Sequence, residues 1–339
     1  MYRWLPQSLL ILLAFSTLRA GAMDIEDIRH LLDRTGFGAR PADVAAFVLL
    51  NREQSIDRLL NAEPTDQALP DWADQRPFLD RKSLKTLPEA ERKARSREYG
   101  RQRRQWQIEL KAWWYQRMLD GHAPLIERMT LFWHNHFTSE LRKKVGSPQL
   151  MMHQHQLLRR HALGNFAELL RSIVIDPAML IYLDGARNRK QKPNENFARE
   201  LLELFTLGEG HYTEADIKDA ARALTGWQLD RNNGVVRFKP RQHDDGKKNF
   251  LGRTGHFGTD AIIAILLEKP RTAEFIVEQL WREFISPEPD PKEVKRLAKS
   301  FRESGYEIRP LLRQILLSEA FWALENRGSL IKSPIELVV

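Results

Sequence analysis

Apolar residues recur along this chain at helical spacing for nearly its whole length. Between Asp24 and Asp33 they fall at Ile25, Ile28, Leu31 and Leu32, the i, i+3, i+6, i+7 stripe of one helix face. Thr35-Gly36-Phe37-Gly38 reads as a turn, Pro41 opens the next helix, and residues 51–60 form a short third one. Residues 64–80, rich in Pro, Asp and Gln, read as a connecting loop. A basic stretch over 81–104 then leads into Trp106, Trp113, Trp114, Tyr115 and Met118, so one long helix is predicted to run from exposed to buried. Further helices are expected over 124–137, 149–160, 165–175 and 194–207, the last ending at Gly208. Another begins at Thr213, with Asp216 in the capping-box position, and four more cover 260–267, 272–284, 290–304 and 309–318. Strands are argued only at 227–229 and 235–238, which flank Asn232-Asn233-Gly234. The pattern predicts a mainly α fold: one multi-helical globular domain over 24–339 with one small β-hairpin insert.

Composition removes several chemistries. The 339 residues include 53 Lys+Arg against 45 Asp+Glu, a net +8, and no cysteine. Disulfides, thiolate nucleophiles, Cys-based zinc sites and iron–sulfur clusters are therefore excluded. Residues 1–22 have the form of a secretory signal: Arg3, an apolar core from Leu9 to Phe15, and the small residues Ala20-Gly21-Ala22 at the cleavage point. Cleavage would remove Arg3 and Arg19 and lower the excess to +6. No later run approaches about 18 apolar residues, so no transmembrane segment is expected in the mature chain. The expected location is periplasmic or secreted, which argues against a nucleic-acid partner. Ten Lys/Arg and three Glu lie within 81–104. That stretch is either a solvated helix face or a surface for an anionic envelope partner, phospholipid headgroups or an acidic glycan. At the far end, Ser333-Pro334 opens an apolar run that reads as an unfinished helix, and a domain truncated at its C-terminus is the expectation.

Four segments carry a resemblance. They are Leu131-Phe132-Trp133-His134-Asn135-His136-Phe137, Pro193-Asn194-Glu195-Asn196-Phe197-Ala198-Arg199-Glu200-Leu201-Leu202-Glu203-Leu204-Phe205-Thr206-Leu207-Gly208, Ala221-Arg222-Ala223-Leu224-Thr225-Gly226-Trp227, and His243-Asp244-Asp245-Gly246-Lys247-Lys248-Asn249-Phe250-Leu251-Gly252. In this order they resemble the bacterial domain of unknown function 1800 family, from about Ile28 to the end. The resemblance implies an exported protein, often encoded near a secreted sulfatase-like family, which makes such a protein a candidate partner. It implies no reaction. Members usually continue beyond the point where this chain stops.

Three constellations could carry chemistry. Asn196, Glu200 and Glu203 fall at i, i+4 and i+7 on one helix face, where oxygen ligands could hold a divalent metal ion. The competing reading is a polar network with Glu195 and Arg199 paired. His134 and His136 could add nitrogen ligands, one to a site, because i and i+2 on a helix point about 200° apart. A hydrogen-bonded core role is the other reading, and His153 and His155 form a second such pair. His243, Asp244 and Lys248 form a loop group suited to acid/base work with a fixed positive charge, or simply to fixing the loop. No Gly-x-Ser-x-Gly elbow, phosphate-binding loop or dinucleotide fingerprint is present. Two functions follow: a helical interaction or envelope-associated protein, and a metal-dependent hydrolase or transferase joining these groups.

Overall fold

A computed structural model describes residues 21–64 and 68–339. The leader expected over residues 1–22 lies, apart from Gly21 and Ala22, outside the described residues. Among those described, seventeen α-helices and two small two-stranded antiparallel sheets make the fold mainly α. No described helix is long and apolar enough to cross a membrane.

The first helix, Ile25–Thr35, begins where the Asp24 carboxylate accepts from the amide of Asp27 at 2.7 Å, and it buries the expected stripe of Ile28, Leu31 and Leu32. Asn51 and Gln54 form a full capping box at the start of Arg52–Leu60. That helix packs against Ile308–Leu317, and Arg313 forks onto Asp57 at 2.7 and 3.1 Å. The beginning and end of the described chain are thus side by side. Asp27 strengthens the junction by accepting from both Arg52 and Arg327.

The main core is built on Trp133, fully buried in Pro124–His136. Its ring stacks near Phe137 and Phe166, both 5.8 Å away, and its Nε1 donates to the carbonyl of Ala162 at 3.1 Å. Around it pack Pro148–Arg160, Phe166–Val174, Glu195–Glu203 and Glu214–Ala223, together with Thr259–Glu268, Pro270–Phe284 and Pro291–Glu303. A single Leu, Ile or Phe at this depth contributes roughly 2–3 kcal/mol by leaving water, so this cysteine-free fold is held by apolar burial.

Several boundaries differ from the sequence pattern. Pro88 interrupts the basic stretch, which forms a short Arg81–Lys85 helix and then the 32-residue Glu89–Asp120 helix. Residues 64–80 are more than a connection: Trp72 is buried, stacks on Trp106 at 6.1 Å and donates to Glu109 at 2.7 Å. The helix expected to reach 207 stops at Glu203, and the Thr206 hydroxyl then caps the carbonyl of Leu201 at 2.6 Å. The first hairpin pairs Trp227 with Phe238 and Asp230 with Val235, as the Asn-Asn-Gly turn suggests. The loop after it holds a second hairpin, Lys248–Phe250 with Arg253–Gly255, turned by Leu251 (φ 48°) and Gly252 (φ 82°). Positive φ at both turn residues matches the right-handed strand twist, and Leu251 adopts it at a steric cost.

Candidate functional site

The His243–Lys248 group is held by one face of the Glu214–Ala223 helix, where Asp216, Asp219 and Arg222 follow each other at i, i+3, i+6. Arg222 forks onto Asp244 at 2.7 and 3.1 Å and donates to Asp219 at 2.7 Å. The second oxygen of Asp219 accepts from the amide of Asn249 at 2.6 Å, and Asp216 accepts from the amide of Leu251 at 2.6 Å. Arg222 beside it holds the Asp244 carboxyl below the ordinary carboxylate range. Lys248 is 1% exposed, and its Nζ donates to the carbonyls of Asp244 at 2.5 Å and Gly246 at 3.0 Å. Burial lowers its pKa. His243 turns Nδ1 to the carbonyl of Thr225 at 3.0 Å and packs its ring on Phe238. Asp244 and Lys248 meet, His243 turns to Thr225 instead, and each of the three carries a partner that fixes the loop.

The two histidines of the Trp-His-Asn-His-Phe segment part company. His136 donates Nε2–H to the carbonyl of Phe205 at 3.1 Å among Phe132, Trp133, Phe137 and Phe275. Burial pushes its pKa down to about 4, so the ring is neutral at pH 7. His134 lies against Trp114, 4.5 Å between ring centroids, with Nε2 3.2 Å from Nδ1 of His155. Burial takes its pKa to about 3 and that of His155 well below the ordinary value. One histidine from each His-x-His pair thus meets the other, whereas His153 turns to Asp74 at 3.6 Å.

Asn196 is exposed, its amide bonded to the Asn194 side chain at 3.1 Å. Glu200 is half-buried, and burial and then Glu203 raise its pKa. Glu203 accepts the Tyr212 hydroxyl at 2.6 Å. Arg199 does not pair with Glu195 four residues back. It forks onto Glu214 at 2.8 and 2.9 Å, because the adjacent helix offers a bidentate carboxylate. Among the described residues, no three His, Asp or Glu side chains are grouped as a metal ion would require.

The family-like segment opens instead on a polar cleft of about 690 Å³. Its wall is the start of Glu195–Glu203, where the Asn194 side chain is held by the carbonyl of Leu183 at 2.9 Å and its amide by buried Asn188 at 2.9 Å. Arg187, Arg189 and Lys192 face it from the preceding loop, and Gln228 and Gln242, bonded at 2.6 Å, close the far side. Asp184 at its rim sits in the left-handed region, φ 58°. The sequence signal for this cleft is the basic loop running directly into a helix cap, where cations and the positive end of a helix coincide.

The described architecture is thus a multi-helical body with two small hairpins. Residues 30–339 match the family described as "Protein of unknown function (DUF1800)", and the chain belongs to that family. No curated protein and no solved structure matches it.

Proposed function

We propose that this is an exported helical protein that docks on the anionic lipid surface of the cell envelope through its basic arm, residues 81–104. One observation carries the reading: every residue from 89 to 98 of the Glu89–Asp120 helix is exposed, with only Leu84 and Lys85 of the preceding short helix alongside, before Trp106 and Leu110 enter the body. At 1.5 Å per residue that is about 15 Å of helix with no apolar face. Such a segment gains nothing from burial, and only side-chain pairs support it. Glu89–Lys93 and Glu91–Arg95 provide two, leaving Arg92, Arg97, Arg101 and Arg104 to present charge. The root is firmly built, since Tyr99 donates to the carbonyl of Pro77 at 3.1 Å and packs edge-on to Trp106. Export is supported by the leader pattern over 1–22. The hydrolase or transferase reading has no comparable support, because His134, His136, Glu203, His243 and Asp244 keep separate partners.

The test is co-sedimentation of the full chain with vesicles of phosphatidylcholine alone or with phosphatidylglycerol added. Binding is expected only to the anionic vesicles, and it should fall at least tenfold between about 50 mM and about 500 mM salt as the Debye length shrinks. Equal binding to neutral vesicles, binding insensitive to salt, or no binding at all would overturn the reading.

A further inference from the structure

The arm meets the body across a second cleft of about 670 Å³, bounded by the π-helical turn Leu141–Val145 and the tip of the first hairpin. Lys82, Arg103, Arg142, Lys144 and Arg231 line it, and no carboxylate is among its described lining residues. These cations come from well-separated stretches of sequence, so no local repeat gathers them and the fold alone does. Lys82, Arg142, Lys144 and Arg231 stand exposed at the mouth. Arg103 lies deeper. Its Nη1 donates to the carbonyl of Gly146 at 3.3 Å, and its Nε, shielded from solvent, has no hydrogen-bond partner among the described residues.

The remaining surroundings differ in kind. Val145 is buried and Phe78 half-buried, with the Arg231 guanidinium 5.0 Å over the Phe78 ring, so the wall is apolar beneath a cationic mouth. Lys144 touches Asp184 at 3.6 Å in a half-exposed pair, which joins this cleft to the rim of the 184–196 cleft. The hairpin spans the two as well, with Gln228 at one and Arg231 at the other.

Like charges gathered around one cleft repel, and a multivalent anion removes that repulsion where a monocarboxylate leaves most of it. Guanidinium forks match the oxygens of a phosphate. We infer that this cleft binds the phosphate group of an envelope lipid headgroup, with its oxygens toward Arg103, Arg142 and Lys82 and its carbon part on the Phe78–Val145 wall. The inference rests on the arm reading for the source of the phosphate, and on the cleft itself for its chemistry.

The experiment uses the full chain in two arms: calorimetric titration with soluble pyrophosphate, and sedimentation with phosphatidylglycerol vesicles. Pyrophosphate is expected to bind at one site per chain. A protein carrying Arg142→Gln and Lys82→Gln, both at exposed positions, should keep its melting temperature and bind pyrophosphate at least about tenfold more weakly. A protein carrying Arg92→Gln and Arg97→Gln should keep pyrophosphate affinity and bind vesicles severalfold more weakly. Vesicle binding by the unaltered chain without pyrophosphate binding, or pyrophosphate affinity unchanged in the cleft variant, overturns the cleft and leaves the arm reading standing. Pyrophosphate binding at one site without vesicle binding supports the cleft chemistry, assigns it to a soluble phosphate compound, and overturns the arm reading.

Discussion

The 243–251 loop and the 81–104 arm are both dense in charge, and the fold treats them in opposite ways. In the loop the central charges are consumed, with only Asp245 and Lys247 left exposed: Arg222 takes Asp244 and Asp219, Lys248 takes two carbonyls, and Asp219 and Asp216 take two amides. In the arm two i, i+4 pairs form, Arg92, Arg97, Arg101 and Arg104 are exposed, and Lys82 and Arg103 line the cleft beside it. A charge run in sequence therefore does not distinguish structure from function. What distinguishes them is whether the partners are already present within the chain. The loop's charges maintain the shape of the body, and the arm's are available to another molecule.

Removing the loop's central partner should expose the difference most strongly. Arg222→Ala strands Asp244 and Asp219 beside buried Lys248, and breaking a partly buried network of this kind costs about 3–4 kcal/mol. Urea unfolding should record that loss, and a change under about 1 kcal/mol would mean that the network does not hold the loop. The buried histidines supply the next test. His136 has a folded pKa of about 4 against 6.5 unfolded, so between these values the folded state binds fewer protons. Its contribution is complete above pH 6.5 and is lost as pH falls toward 4, a difference of about 3 kcal/mol. Asp176, pushed up to about 7 by burial, acts in the opposite direction, so the comparison is with His136→Gln at each pH. The variant's stability should fall less steeply between pH 6.5 and 4.5; parallel curves would count against a neutral, enclosed ring. Lys248→Met removes a buried charge and frees two carbonyls, for an expected loss of about 2 kcal/mol in the same urea assay. A more stable variant would show that the lysine's burial costs more than its bonds return.

Much of this was legible in the sequence, and what was not has identifiable causes. The stripe of Ile28, Leu31 and Leu32, the Thr213–Asp216 capping box and the Asn-Asn-Gly hairpin all rest on neighbours a few residues apart, which a sequence displays directly. The second hairpin was hidden because its strands are three residues long and Leu251 occupies a conformation that Leu rarely adopts. Arg199 shows the same limit for charge: an i, i+4 partner was visible in Glu195, but the bidentate partner Glu214 arrives only with the next helix. For the sites the balance reverses. Two histidines from different helices meet each other, and the cleft cations lie far apart along the chain. No spacing rule records either juxtaposition, because both are products of packing.

The smallest expected effect on stability is the one that bears most on the arm. Arg92 and Arg97 lie where every residue of the helix is exposed, and neither side chain has an ion pair within the described residues. Replacing both with Gln removes two charges and leaves helix propensity nearly unchanged, since Arg and Gln rank together. The melting temperature should therefore move by no more than about 2 °C, as expected for surface substitutions that break no packing. Salt-sensitive sedimentation with anionic vesicles should nevertheless fall severalfold, because each cation lost near such a surface weakens attraction separately. If the double variant melts markedly lower, the arm's cations are structural after all, and the contrast with the 243–251 loop collapses. If stability and vesicle binding both stay unchanged, the exposed charge of the arm does not carry vesicle binding.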